Sequence, residues 1–497
     1  MPSLKALLAK VYAARTYKKI SKWSTNPIET QNQVFQSLIS EAAATNFGVD
    51  HDFISIKSHE DFTERVPVRD YEALKPYVDK VVAGESDVLW KGKPLYFAKT
   101  SGTTSGAKYI PITKESMPSH IEAAKNAILL YINETGNTEV VDRKMIFLQG
   151  SPVLENKNGV QLGRLSGIVA HYVPKYLQRN RLPSWETNCI EDWETKVNKI
   201  VQETLNEDMS IIAGIPSWVQ MYFEKLIEKK GQKVGDVFKN FNLFIFGGVN
   251  YEPYRSKFEA LIGRKVNSIE LYPASEGFFA FQDRQNESGM LLQLDSGMFY
   301  EFIAVETFFD ASPQRLTLKD VEIGVNYVII ISTTAGLWAY NIGDTVQFTC
   351  LAPFRVIVSG RIKHFISAFG EHVIAKEVEH ALLSALKATD ISVSEFTVAP
   401  QTTPLEGLPY HEWFIEFESP PSDLSIFASK IDAAMQQQNS YYKDLIQGKV
   451  LQPLIVTPVL KSGFQNYMKR IGKLGGQNKT PRLSNDRKIA DALSNVI

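Results

Sequence analysis

The chain has 497 residues, 44% of them hydrophobic, with 54 basic against 55 acidic residues and a formal net charge of -1. That length exceeds the size at which a single hydrophobic core keeps growing, so at least two domains are expected, and the balanced charge excludes the basic footprint of a nucleic-acid binder. The only cysteines, Cys189 and Cys350, lie in unrelated contexts, which excludes a disulfide framework and a cysteine-based zinc site and suits a reducing, cytoplasmic compartment.

The first segment, 4–14, is apolar but interrupted by Lys5 and Lys10. It predicts an amphipathic helical arm rather than a signal peptide or a membrane anchor. Residues 32–44 carry Val34, Phe35, Leu38 and Ile39 at helical spacing, and 68–82 repeats that pattern. Short apolar or β-branched runs at 145–148, 211–213, 243–246, 266–271 and 327–332 predict strands, with helical stretches such as 216–230 between them. This alternation gives an α/β fold with mixed sheets flanked by helices. Segment 290–302 reads as a smaller antiparallel piece. After Gly360 the pattern changes to helix 374–386, strands 394–398 and 413–417, helix 424–437 and strand 454–459, an α+β module of its own, with 400–409 as a loop. The boundary falls at 359–363, giving domains 1–360 and 361–497. The longest apolar runs, 327–331 and 211–219, are too short to span a membrane.

The most informative segment lies between two predicted strands. From Phe97 to Tyr109 it reads Phe-Ala-Lys-Thr-Ser-Gly-Thr-Thr-Ser-Gly-Ala-Lys-Tyr, offering the hydroxyls of Thr100, Ser101, Thr103, Thr104 and Ser105. Gly102 and Gly106 permit sharp turns and close backbone approach, the makings of a phosphate cradle. The P-loop pattern fails, because only three residues separate the glycines and Ala107 stands where lysine belongs. Lys108 is the nearby cation, and a strand-edge lysine pointing to water reads equally well.

Three later segments carry the argument further. Phe244-Ile-Phe-Gly-Gly-Val249 is an apolar strand ending in the pair Gly247 and Gly248; Leu271-Tyr-Pro-Ala-Ser-Glu-Gly-Phe278 contains Tyr272, Ser275 and Glu276; Trp338-Ala-Tyr-Asn-Ile-Gly-Asp344 ends in an aspartate. Together with the hydroxyl-rich loop, in this order, they resemble the signature of the adenylate-forming superfamily, and Ser359-Gly-Arg-Ile-Lys363 resembles its hinge. The segments Thr45-Asn-Phe-Gly48, Val66-Pro-Val-Arg-Asp-Tyr-Glu72 and Lys75-Pro-Tyr77 narrow the resemblance to the Gretchen Hagen family of acyl acid amido synthetases, over nearly the whole chain.

That resemblance implies a large adenylate-forming domain followed by a smaller mobile α+β domain, with ATP and Mg²⁺ as cofactors and a carboxylic acid and an amino acid or other amine as substrates. It implies phosphate contacts from Ser101, Gly102, Thr103, Thr104 and Lys108, an adenine site at Gly247, Gly248 and Tyr272, and Ser275 at the α-phosphate. Glu276 is implied as the Mg²⁺ ligand, which suits a hard cation that prefers oxygen. Asp344, able to accept from two hydroxyls at once, is implied at the ribose with Arg361, and Lys363 at the hinge. Asn341 replaces the family's arginine and is left without a role. Gly475-Gly-Gln-Asn-Lys-Thr-Pro-Arg482 resembles a C-terminal motif of the plant enzymes, making Lys479 either a mobile catalytic cation or a solvated loop lysine. The acyl pocket is expected from 114–131 and 163–172. His364 and His372 lack a ligand set, and no Gly-x-Ser-x-Gly elbow supports a hydrolase. Two alternatives remain: an acyl-coenzyme A ligase of the phenylacetate type, and a nucleotide-binding relative without turnover.

Overall fold

The computed structural model describes residues 4–103, 106–173, 178–248, 251–362, 365–366, 373–387, 389–448, 450–474, 479–484 and 486–494. Two compact units emerge: one contains 1–249 and 262–357, the other 250–261 and 358–497. The chain therefore visits the second unit once before it enters it for good, through most of the helix Glu252–Ile262.

In the first unit the strands follow in chain order as β1 Tyr96–Thr103, β2 Gly106–Ile112, β3 Lys144–Phe147, β4 Glu155–Lys157, β5 Val160–Gly163, β6 Arg181–Leu182, β7 Met209–Ala213, β8 Leu243–Gly247, β9 Asn267–Ala274, β10 Gly277–Phe281, β11 Met290–Leu292, β12 Met298–Ala304, β13 Asn326–Thr333, β14 Tyr340–Leu351 and β15 Phe354–Arg361, which crosses into the second unit. Four of them form the sheet β2-β1-β5-β4, and eleven form the sheet β12-β13-β14-β15-β11-β10-β9-β8-β7-β3-β6. From β9 to β6 the neighbours run parallel. Strands β7 and β8 are buried along nearly their whole length, as the continuous apolar runs of a sheet covered on both faces require. Segment 290–302, read as a smaller antiparallel piece, supplies β11 and β12 to the antiparallel half of this large sheet. Short apolar runs carry no record of which distant strand they pair with, and β12 pairs with β13 across a connection of more than twenty residues.

The N-terminal helix Leu4–Ser24 runs longer than its apolar stretch and buries Ala6, Ala13, Ile20 and Trp23. No helix among the described residues is long and apolar enough to cross a membrane. Helix Tyr71–Ala83 starts where Asp70 accepts from the Ala73 N–H and stops at Gly84, whose φ of 99° suits a residue without a Cβ.

The second unit holds the short pair β16 Phe365–Ile366 and β17 Val373–Ile374, and the sheet β18-β19-β20 made of Ser392–Gln401, Tyr410–Ser419 and Ile455–Val459. Alternation along β19 sorts its side chains by face: Trp413 and Ile415 join a core with helices Ala375–Leu386 and Leu424–Gln438, while Phe414 joins Phe464, Ala490 and Leu493 on the other side.

Candidate active site

Parallel strands bring their carboxyl ends to one edge of a sheet, where an open α/β fold leaves a crevice for ligands. Here that edge carries Gly247 at the end of β8 and, just after β9, the turn formed by Ser275 and Glu276, both half-buried. Gly247 pairs with Leu271 on β9, and a Cβ at Gly247 would stand 2.5 Å from the Leu271 carbonyl oxygen, so only glycine allows the two strands to approach there. Gly248 follows with φ 81°, a left-handed conformation that turns the chain off the sheet.

The second and third motifs meet at this edge. The Tyr272 hydroxyl donates to Asp344 Oδ2 at 2.8 Å. Tyr272 is 6% exposed, with the Phe279 ring 4.9 Å away by centroid, so the phenol is held by packing before its hydrogen bond is counted. Asp344 sits on β14 just after a bulge in its pairing with β13, where Gly343 has φ 88°. Asn341 explains itself here: its side-chain oxygen accepts from the Gly343 N–H at 2.8 Å, folding the backbone that presents Asp344. An arginine cannot accept that bond.

The N-terminal signature proves to be the brace between motifs. Arg69 bridges Tyr340 in parallel register, donating its N–H to Ala339 and accepting from the Asn341 N–H. Two residues on, the buried Tyr71 accepts the Tyr109 N–H at 2.9 Å, and the Lys108 ammonium lies over the Tyr71 ring at 5.5 Å. One short segment thus ties strand β14 to the hairpin of β1 and β2. That hairpin pairs Thr100 with Lys108 and Thr103 with Gly106, with an irregularity between Thr100 and Thr103. The backbone of Ser101, Gly102 and Thr103 lies on β1; Thr104 and Ser105 lie outside the described residues. Thr45-Asn-Phe-Gly48 is structural: Thr45 caps its helix by accepting from the Gly48 N–H, and Phe47 is fully buried.

In the second unit Arg361 ends β15. Lys363, His364 and His372 lie outside the described residues. Lys479 is exposed, three residues ahead of an anchored arginine. Arg482 pairs with Glu395, lies 3.4 Å from Glu379, donates to the Tyr254 hydroxyl at 2.9 Å and covers the Phe396 ring. The carbonyl of Pro481 accepts from Thr397 Oγ1 at 2.7 Å, and that of Arg482 from the Val398 N–H. The end of the motif is therefore fastened to β18, while Tyr254 comes from the helix inserted between β8 and β9. Periodicity gave no hint of Tyr254, because its partner stands more than two hundred residues away.

Around the expected acyl region, helix Met117–Thr135 packs against β10 and buries His120, whose imidazole burial pushes down to about 4. Helix Leu165–Ala170 follows β5. Two basic residues that sequence reasoning passed over, Arg181 and Lys196, also reach the carboxyl edge of the sheet. Both Arg181 Nη2 and Lys196 Nζ bond to Gln149, two residues after β3.

The profile of the GH3 family N-terminal domain matches residues 16–189, that of the GH3 family central domain 291–361, and that of the GH3 family C-terminal domain 376–488. The chain is 22% identical over 565 aligned positions to the indole-3-acetic acid-amido synthetase GH3.15 of Arabidopsis thaliana, covering 95% of this chain and 93% of that protein. It is 20% identical to the jasmonoyl–L-amino acid synthetase JAR4 of Nicotiana attenuata, over 64% of this chain and 66% of that one. Among solved structures it is similar to the Arabidopsis acyl acid amido synthetase GH3.15 in complex with 2,4-DB, with a TM-score of 0.81 at 16% identity, over 100% of this chain and 97% of that one. A 2-hydroxyisobutyryl-CoA ligase shares the fold, with a TM-score of 0.60 at 14% identity over 94% and 91% of the chains. The sheet edge, the meeting of Tyr272 with Asp344 and these three matches, which together cover most of the sequence, agree in one conclusion: this chain belongs to the GH3 family.

Proposed function

We propose that this chain is an ATP-dependent acyl acid amido synthetase: it joins a carboxylate to the α-phosphate of ATP, releasing pyrophosphate, and passes the acyl group to the amino group of an amino acid, releasing AMP. The observation that carries this reading is the hydrogen bond between Tyr272 and Asp344, which unites two motifs 72 residues apart at the glycine-bearing edge of a parallel sheet. Asp344 holds the ribose hydroxyls with Arg361 assisting, and Tyr272, Gly247 and Gly248 border the adenine. Ser101, Gly102, Thr103 and Thr104 hold the β- and γ-phosphates, with Lys108 adding charge and Ser275 at the α-phosphate. Glu276, a carboxylate on a half-buried turn, fits Mg²⁺, which binds through one or two carboxylates and substrate phosphates and neutralises charge on the reacting phosphates.

Lys479 supplies positive charge to the α-phosphate during adenylation and is withdrawn for transfer by rotation of the C-terminal module about Lys363. Such exchange excludes water from the acyl-adenylate and then admits the amine. Cys189 and Cys350, both free, suit a reducing cytoplasmic setting. A hydroxylamine-trapping screen of carboxylic acids with ATP tests the first half-reaction, and mass detection of products with amino acids tests the second. Adenylation of no acid in a broad panel, despite ATP binding, would overturn the proposal. The fold shared with a coenzyme A ligase favours one second reading, thioester formation, which the same assay separates by product mass.

A further inference from the structure

Burying a charge without a countercharge is expensive, so a buried cation that has no ion pair is a candidate site for an anion. Lys196 is only 2% exposed, yet its ammonium is met by neutral oxygens, the carbonyls of Gln149 at 2.9 Å and Asn188 at 2.7 Å. Arg181 lies over the Phe147 ring, 4.9 Å from its centroid, and bonds through Nη2 to the Gln149 side-chain oxygen. Among the described residues no carboxylate stands within ion-pair distance of either cation. The Nε of Arg181 and the hydroxyl of Ser166 are both buried without a partner. Ser166 and Arg164 approach the next residue: a Cβ at Gly150 would sit 3.3 Å from Ser166 Oγ and 3.2 Å from Arg164 Cδ. Donors and positive charge thus converge on Gln149 and Gly150, just past the carboxyl end of β3.

Resting on the synthetase reading above, we propose that Arg181 and Lys196 form a carboxylate-binding subsite, and that its ligand is a substrate carboxylate other than the one being activated. The activated carboxylate must reach the α-phosphate beside β9. Strand β3 is three strand spacings from β9 in the sheet, so the subsite is separate from the reacting centre. Two sources offer such an anion: a second acid group at the far end of the acyl substrate, or the carboxylate of the amino acid acceptor. Both present the same anion, and the guanidinium fork with a nearby ammonium is the donor set that recognises it.

The test compares matched pairs in the full-length enzyme and in Arg181→Met, Arg181→Lys and Lys196→Met. For the acid, ATP–pyrophosphate exchange is measured with hexanoate against hexanedioate and benzoate against terephthalate. For the acceptor, amide formation is measured with L-alanine against L-alaninamide. The wild type should favour the member bearing the extra carboxylate by tenfold or more in kcat/KM in one of the two arms, which identifies the source. Arg181→Met should collapse that ratio toward one, and Arg181→Lys should restore part of it. No preference in either arm, or an equal loss for both members of the pair, overturns the proposal. If no acid supports exchange at all, the synthetase reading is what fails, and calorimetry with glutarate decides the subsite. Saturable binding weakened tenfold in Arg181→Met and in Lys196→Met sustains it, and absence of such binding ends it.

Discussion

Replacing Asp344 by alanine should weaken ATP binding far more than it disturbs the fold. In the free protein Asp344 accepts from a tyrosine hydroxyl that is nearly buried, so truncation deprives that O–H of the Asp344 acceptor. An unmet buried hydroxyl costs about 1–3 kcal/mol, which lowers stability by that amount at most. In the complex the same truncation removes an ionised acceptor from the ribose hydroxyls, a charge-assisted pairing worth about 1.5–3 kcal/mol. At about 1.4 kcal/mol per decade, the ATP dissociation constant should rise roughly 10- to 150-fold. Asp344→Asn keeps one acceptor oxygen and should fall between wild type and alanine. Tyr272→Phe keeps the ring but frees Asp344 from its donor, and should cost affinity less than Asp344→Ala does. Calorimetric titration with a non-hydrolysable ATP analogue, beside thermal unfolding of each variant, reads both quantities. Near-wild-type affinity in a folded Asp344→Ala protein would move the ribose site elsewhere and with it the meaning of the bond to Tyr272.

Glu276→Gln should fold normally yet lose exchange activity, because the amide keeps the shape but not the charge that holds Mg²⁺; a wild-type rate with an unchanged Mg²⁺ dependence in the variant would reject that role. Arg482→Met should slow adenylation by loosening the anchor of Lys479, and in a Lys479→Ala background it should add little further loss; two independent, additive losses would show that the anchor acts only on stability. Tyr71→Phe removes the acceptor for the Tyr109 N–H and should cost about 1 kcal/mol in stability together with a raised KM for ATP, the second being absent if the brace does not reach the phosphate hairpin. Burial, reinforced by the neighbouring charge of Arg164, lowers the Lys196 ammonium from the ordinary 10.5 to about 8. Between those values the unfolded chain holds the proton and the folded one does not. The contribution of Lys196 to stability therefore rises with pH across that window, by at most about 1.4 kcal/mol per unit, and is flat below it. The difference in unfolding free energy between wild type and Lys196→Met, followed from pH 7 to 10.5, should carry that slope.

Much of the fold was legible because its signals are local. Helix Tyr71–Ala83 follows from apolar spacing, an aspartate cap and a terminal glycine, all within a few residues. Strands β7 and β8 follow from continuous apolar runs that end at glycine, and the hydroxyl-rich loop from its composition. The order of Gly247, Tyr272, Glu276 and Asp344 along the chain already implied a nucleotide chemistry. What tertiary structure decided is which of these meet. That 290–302 completes the large sheet, that Arg69 and Tyr71 brace two motifs, and that Asn341 holds the turn before Asp344 depend on pairings between residues remote in sequence. The cations Arg181 and Lys196 look like ordinary surface residues in the sequence, since charge alone gives no sign of burial. Only packing, which buries Lys196, half-buries Arg181 and brings no carboxylate among the described residues to meet them, makes them chemically distinct.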